Sequence, residues 1–179
     1  RGLGDVYKRQ TEEISPTQST SQEAEEICMF CSFPDIIHEI RGVGRMHEAQ
    51  RVRNSMKRGD IVWVALQSEL LAPGVMKVLA DSGFGVVLLD MEHGTYSMDQ
   101  VRQLIDASRL SHIAAIVRVP LSDRAVVSRS LDAGAAGVMF PQIYTMNEVE
   151  QAVQISKYSP LGSRGLLLIR PHTNFAVPD

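Results

Sequence analysis

Cysteine is nearly absent. Two occur in 179 residues, Cys28 and Cys31, both in the run CMFC. A lone C-x-x-C lacks the second pair that would complete about four ligands for structural zinc, and it offers no disulfide framework. The spacing is read as accidental, in a reducing compartment, and a cytoplasmic location is expected. An excess of charge of one sign is also missing: 18 Lys and Arg stand against 21 Asp and Glu, for a net charge of -3. Such a balance gives neither a nucleic-acid footprint nor a membrane-binding patch. No apolar stretch approaches the ~20 residues of a spanning helix, and no signal-peptide core is visible. Nucleotide motifs are lacking too. No G-x-G-x-x-G follows a strand, no P-loop occurs, and GVGRMH (42–47) has only a partial glycine pattern. His47-Glu48 lacks the second histidine of a zinc-protease helix.

What remains is one domain's worth of chain. RGLGDVYKRQ (1–10) reads as a translated sequencing-adapter artefact and is set aside from fold reasoning. Residues 11–44 open polar and rich in Ser, Thr and Glu, and are expected to be a disordered or weakly structured extension. From 45 to 179 the pattern alternates. A helix (RMHEAQRVRNSMKRG) ends at Gly59, then IVWVAL (61–66) reads as a buried strand. LLAPGVMKVLADSG is a helix closed by Gly83, GVVLLD a strand, and SMDQVRQLIDASRL a helix capped by Ser97. HIAAIVRV is a strand, and SDRAVVSRSLDAG a helix with Ser122 at its start and Gly134 past its end. AGVMFP is a fourth strand, and TMNEVEQAVQISKYS a helix opened by the capping box Thr145-x-x-Glu148. LGSRGLLLI begins something further. Strands apolar on both faces, each followed by an amphipathic helix, mean a parallel sheet covered by helices. Periodicity alone leaves open a (β/α)₈ barrel or an open doubly wound sheet.

In either architecture ligands bind at the carboxyl ends of the strands, and polar residues gather there. VVLLD runs straight into Glu92, His93 and Gly94, and the glycine allows a sharp turn or close approach to a ligand. In IAAIVRVP the permanently charged Arg118 interrupts an apolar run. It needs a partner, which Asp90 and Glu92 can supply, or an anion that develops during reaction. Gln142 follows the fourth strand, as a loop amide or as a substrate contact. Asp132, near the end of the third repeat helix, opposes the macrodipole and so needs a partner or solvent.

Taken in order, KRGDIVWVAL, GFGVVLLDMEHGTYS, IVRVP, SLDAGAAGVMFPQI and YSPLGSRG resemble the HpcH/HpaI aldolases, the class II, metal-dependent pyruvate aldolases. The likeness runs from about residue 54 to 175. It implies a (β/α)₈ TIM barrel, present here as roughly its first half, that cleaves a 4-hydroxy-2-oxo acid to pyruvate and an aldehyde. By position, His93 matches the family's base, Arg118 the group that steadies the enolate and binds substrate, and Asp132 a carboxylate that raises the histidine's basicity. The resemblance marks Asp90 and Glu92 as supporting acidic positions. A helix-end Asp132 would lie at the far face of its own barrel from His93, so contact would need a bent helix end or a neighbouring subunit. The implied cofactor is a divalent cation (Mg²⁺, Mn²⁺ or Co²⁺), with its ligands expected beyond Asp179. The partners expected are a small 2-oxo acid and, at full length, further copies in a homo-oligomer, with no nucleic acid or membrane. The piece alone is expected to be inactive. Two alternatives stand beside this reading: an acyl-CoA lyase like the citrate-lyase β-subunit, and a silent barrel kept for binding or assembly.

Overall fold

The computed structural model describes residues 48–121, 123–167, 169–173 and 175. The expectations placed on 1–47, including those for Cys28 and Cys31, and on Ser122 lie outside the described residues.

Four parallel strands form one sheet: β1 (Val64–Gln67), β2 (Val86–Asp90), β3 (Ala114–Arg118) and β4 (Gly137–Met139). Helix α1 (Glu48–Lys57) precedes them. Then α2 (Val75–Asp81), α3 (Met98–Leu110), α4 (Arg124–Asp132) and α5 (Met146–Ser156) follow the strands one by one. The spatial order is β1-β2-β3-β4, the order of the sequence. A doubly wound sheet reverses direction at a switch point and places helices on both faces, whereas a barrel adds each strand on the same side. Here all four helices that follow the strands share one layer. Met76, Leu104, Ile105, Val127, Leu131, Ala152 and Ile155 pack with Val87, Leu89, Ala115, Val117 and Val138. On the opposite face of the sheet, Val86, Ala114 and Ile116 cluster with Ala49 and Val52 of α1 and with Ala136. This single winding is that of successive units of a (β/α)₈ barrel.

Local sequence explains the helices. Ser97 accepts from the Gln100 N–H, and the Gln100 side chain accepts from the Ser97 N–H. Thr145 and Glu148 repeat the arrangement at α5. On α3, Val101, Leu104, Ile105 and Ser108 recur at helical spacing and are fully buried, each large apolar side chain contributing about 2 kcal/mol.

Three boundaries differ from the sequence reading. The cap of α4 is Asp123, whose carboxylate accepts from the Val126 N–H at 2.9 Å. Helix α2 starts only at Val75, because Pro73-Gly74 makes a turn first. The stretch 61–66, expected to be a buried strand, is ordered as strand only from Val64, and Val64 and Leu66 are more than half exposed. As the edge of the described sheet, β1 pairs with β2 alone.

Candidate functional site at the carboxyl ends of the strands

Register creates the site. Asp90 ends β2 and Arg118 ends β3, and the parallel ladder sets them side by side. The guanidinium grips the carboxylate with two N–H groups, Nε to Oδ1 at 2.9 Å and Nη2 to Oδ2. Asp90 Oδ1 also accepts from the backbone N–H of Glu92 (2.9 Å) and of His93 (3.2 Å). One carboxylate, 2% exposed, therefore neutralises the arginine and folds the following loop back over the strand end. The Arg118 hydrogen bonds, helped by the two backbone donors and opposed by burial, hold the Asp90 carboxyl at about 2. The same pairing raises Arg118 further above its ordinary value.

The loop then presents Glu92 and His93. Strand pairing stops at Asp90, so Glu92 is a loop residue and does not continue the alternation of β2. Its Oε2 stands 3.4 Å from Arg118 Nε and 3.7 Å from His93 Nε2. Its Oε1 accepts from Gln142 Nε2 at 3.1 Å. The His93 side chain is 70% exposed, free to meet a molecule arriving from solvent. Gly94 is required by close backbone packing: a Cβ there would sit 2.1 Å from the Asp90 carbonyl oxygen and 2.8 Å from that of Ser68. The neighbouring Thr95 N–H bonds the same Ser68 carbonyl at 3.0 Å, and Tyr96 donates to the Leu70 carbonyl at 3.0 Å.

Asp90, Glu92, His93, Arg118 and Gln142 thus come together, while Asp132 does not join them within this chain. Helix α4 runs back along the sheet, so its last residue lies beside the start of β4, at the opposite ends of the strands. There Asp132 pairs with the buried Arg164. Its backbone carbonyl lies 3.3 Å from His172 Nδ1, and the far side of that ring faces the Tyr158 hydroxyl at 3.3 Å. Arg164 lies over the Tyr158 ring, 4.7 Å from its centre. Burial lowers His172 below its ordinary value and raises Tyr158. The partners of Asp132 escaped the sequence reading because they arrive from a segment with no periodic pattern. The Gln142–Glu92 bond escaped it because 50 residues separate the two.

A divalent cation would need several oxygen or nitrogen donors turned toward one point. Among the described residues no three His, Cys, Asp or Glu side chains form such a group. Asp90 already accepts four hydrogen bonds, and Glu92 faces an amide and a guanidinium. The described residues do not fit a cation. Nor is any described helix long and apolar enough to cross a membrane.

Residues 61–177 match the family described as HpcH/HpaI aldolase/citrate lyase. A 4-hydroxy-4-methyl-2-oxoglutarate aldolase of Chaetomium globosum is 37% identical over 95 residues, which is 52% of this chain and 35% of that protein. The solved HpcH/HpaI aldolase of Desulfitobacterium hafniense superposes with a TM-score of 0.66 at 27% identity, over 72% of this chain and 49% of its own. A solved citrate synthase, SbnG, gives a TM-score of 0.60 at 32% identity, over 64% and 46% respectively. The chain spans less than half the length of each of these relatives.

Proposed function

The chain belongs to the HpcH/HpaI aldolase/citrate lyase family, and from that premise we propose that its full-length protein is a carbon–carbon lyase. It would cleave a 4-hydroxy-2-oxo acid into pyruvate and an aldehyde. One observation carries the reading. A single oxygen, Glu92 Oε2, lies 3.4 Å from the Arg118 guanidinium and 3.7 Å from the His93 imidazole, so both groups address one small volume at the strand ends. The oxygen that meets both groups is itself part of a carboxylate, the kind of group a 2-oxo acid carries.

The residue types suit the reaction. His93, exposed at the loop tip, takes the proton of the 4-hydroxyl as general base. The C3–C4 bond then breaks, the aldehyde departs, and the bonding pair moves into C2–C3, leaving negative charge on the 2-oxo oxygen. Protonation at C3 completes pyruvate. Arg118 meets the developing charge without exchanging a proton. The divalent cation implied by the family resemblance would have to be held by groups other than those described, and no step is assigned to it.

The test is pyruvate release by the full-length protein from 4-hydroxy-2-oxo acids, followed by coupled reduction to lactate. His93→Ala should lower kcat by about 10² to 10⁴-fold, the usual worth of a positioned base. Failure of the unaltered protein to release pyruvate from any such acid, or near-normal rates in His93→Ala, would sink the reading. The likeness to a citrate synthase favours one second reading, in which an enolate is joined to a carbonyl carbon instead of being released. Product identification by NMR separates cleavage from condensation.

A further inference from the structure

Gln142 is held in a conformation that glycine would adopt more readily. Its φ is +56°, in the left-handed region that non-glycine residues rarely enter. The residue that pays this strain is not small. It carries a long amide, and that amide ends on Glu92 Oε1 at 3.1 Å. Backbone strain of this kind persists where the surroundings over-determine it, and it gathers at functional sites.

The path of that hydrogen bond matters. Because the strands lie in the order β2-β3-β4, the loops after β2 and β4 are not neighbours. The strand ends they leave are separated by the end of β3, at two strand spacings of about 4.8 Å each. The Gln142–Glu92 contact therefore bridges across the strand whose last residue is Arg118. A carboxylate tied only to its own loop would be free to rotate about its last bonds. With Oε1 fixed by the amide, Oε2 is directed toward Arg118 Nε and His93 Nε2. Arg118 Nε donates to Asp90 Oδ1 at 2.9 Å and has Glu92 Oε2 at 3.4 Å, so a second carboxylate adjoins the same end of the guanidinium.

We infer that Gln142 is a positioning residue: its strained backbone aims an amide that sets the Glu92 carboxylate, and Glu92 in turn orients Arg118 and His93. The inference rests on the aldolase reading for its catalytic consequence, but the clamp itself does not. The bond to Glu92 uses one of the amide's two N–H groups, so the substrate contact expected of Gln142 is a separate role, one that would register in KM.

The experiment uses the full-length protein and the variants Gln142→Gly, Glu92→Ala and the pair. Gln142→Gly removes the amide and relieves the strain together, so its melting temperature should not fall. Its kcat should nevertheless drop about tenfold, as loss of one charge-assisted orienting bond implies, with KM changed by less than about twofold. In the Glu92→Ala background the same substitution should cost nothing more, because no carboxylate remains to be set. Equal losses in both backgrounds, or an unchanged kcat in Gln142→Gly alone, would overturn the inference. A readout independent of turnover is the Gln142 side-chain amide resonance pair, identified by its absence from Gln142→Gly. The pair should be displaced and protected from exchange in the unaltered protein and should move to an ordinary position in Glu92→Ala. If the protein releases no pyruvate but that resonance moves, the clamp stands and the reaction assignment falls. If the resonance is indifferent to Glu92, the clamp falls whatever the protein catalyses.

Discussion

Asp90 is the residue on which the site's geometry and part of the fold's stability both depend. Its folded pKa of about 2 lies below the ordinary carboxylate value of 3.8. A depressed carboxylate contributes stability that is present above its unfolded value and is lost as pH falls through its folded one. The window is therefore about pH 4 down to about 2, and the contribution is about 2 kcal/mol. Urea unfolding at stepped pH should show this loss in the unaltered protein, and Asp90→Asn should flatten it. Arg118 is the complementary case. Lysine keeps the charge but cannot span both Asp90 oxygens as the planar fork does. Arg118→Lys should accordingly lower kcat by about 10²-fold, with near-normal rates counting against an enolate-facing role. The Asp90–Arg118 pairing was legible in part before any coordinates. Two charged residues at the ends of apolar runs must find partners, and neighbouring strands were the evident source. Which of Asp90 and Glu92 would be the principal partner was not legible, because that depends on the ladder placing residue 90 opposite 118.

At the scale of elements, caps and apolar spacing located most helices, since these are signals read within a few residues. The capping box at Ser97 is a local motif and formed as its sequence implied. Ser97→Ala should cost about 1 kcal/mol, measured as a shift in the urea midpoint at unchanged slope. Where local signals compete, the reading slipped. At α2, Leu70 and Leu71 continue the apolar pattern, but Pro73 and Gly74 favour a turn, and the turn prevails. At β1 the apolar run 61–66 implied burial, yet burial belongs to the neighbours and not to the strand. With β2 on one side only, Val64 and Leu66 remain exposed.

For the molecule as a whole, alternation of strand and helix gave the α/β class, while the direction of winding needed coordinates. Periodicity has no term for which side the next strand joins. The chain order of the sheet supplies it. Asp132 shows the same limit. Its place at a helix end was readable, whereas its partners Arg164 and His172 come from a later segment whose regular structure, among the described residues, is the 3-10 turn Pro171–Thr173. Because Arg164 is buried against that carboxylate, Arg164→Met should lower stability by about 3 kcal/mol, checked by urea unfolding. The two charged groupings therefore sit at opposite poles of one sheet: Asp132 with Arg164 where the fourth strand begins, Asp90 with Arg118 where the second and third finish. A substitution survey ordered by height along the strand axis should thus sort into two populations. Changes near the starting pole would register mainly as altered midpoints of unfolding. Those near the finishing pole would register first as altered turnover, with a loss of stability added where Asp90 itself is changed.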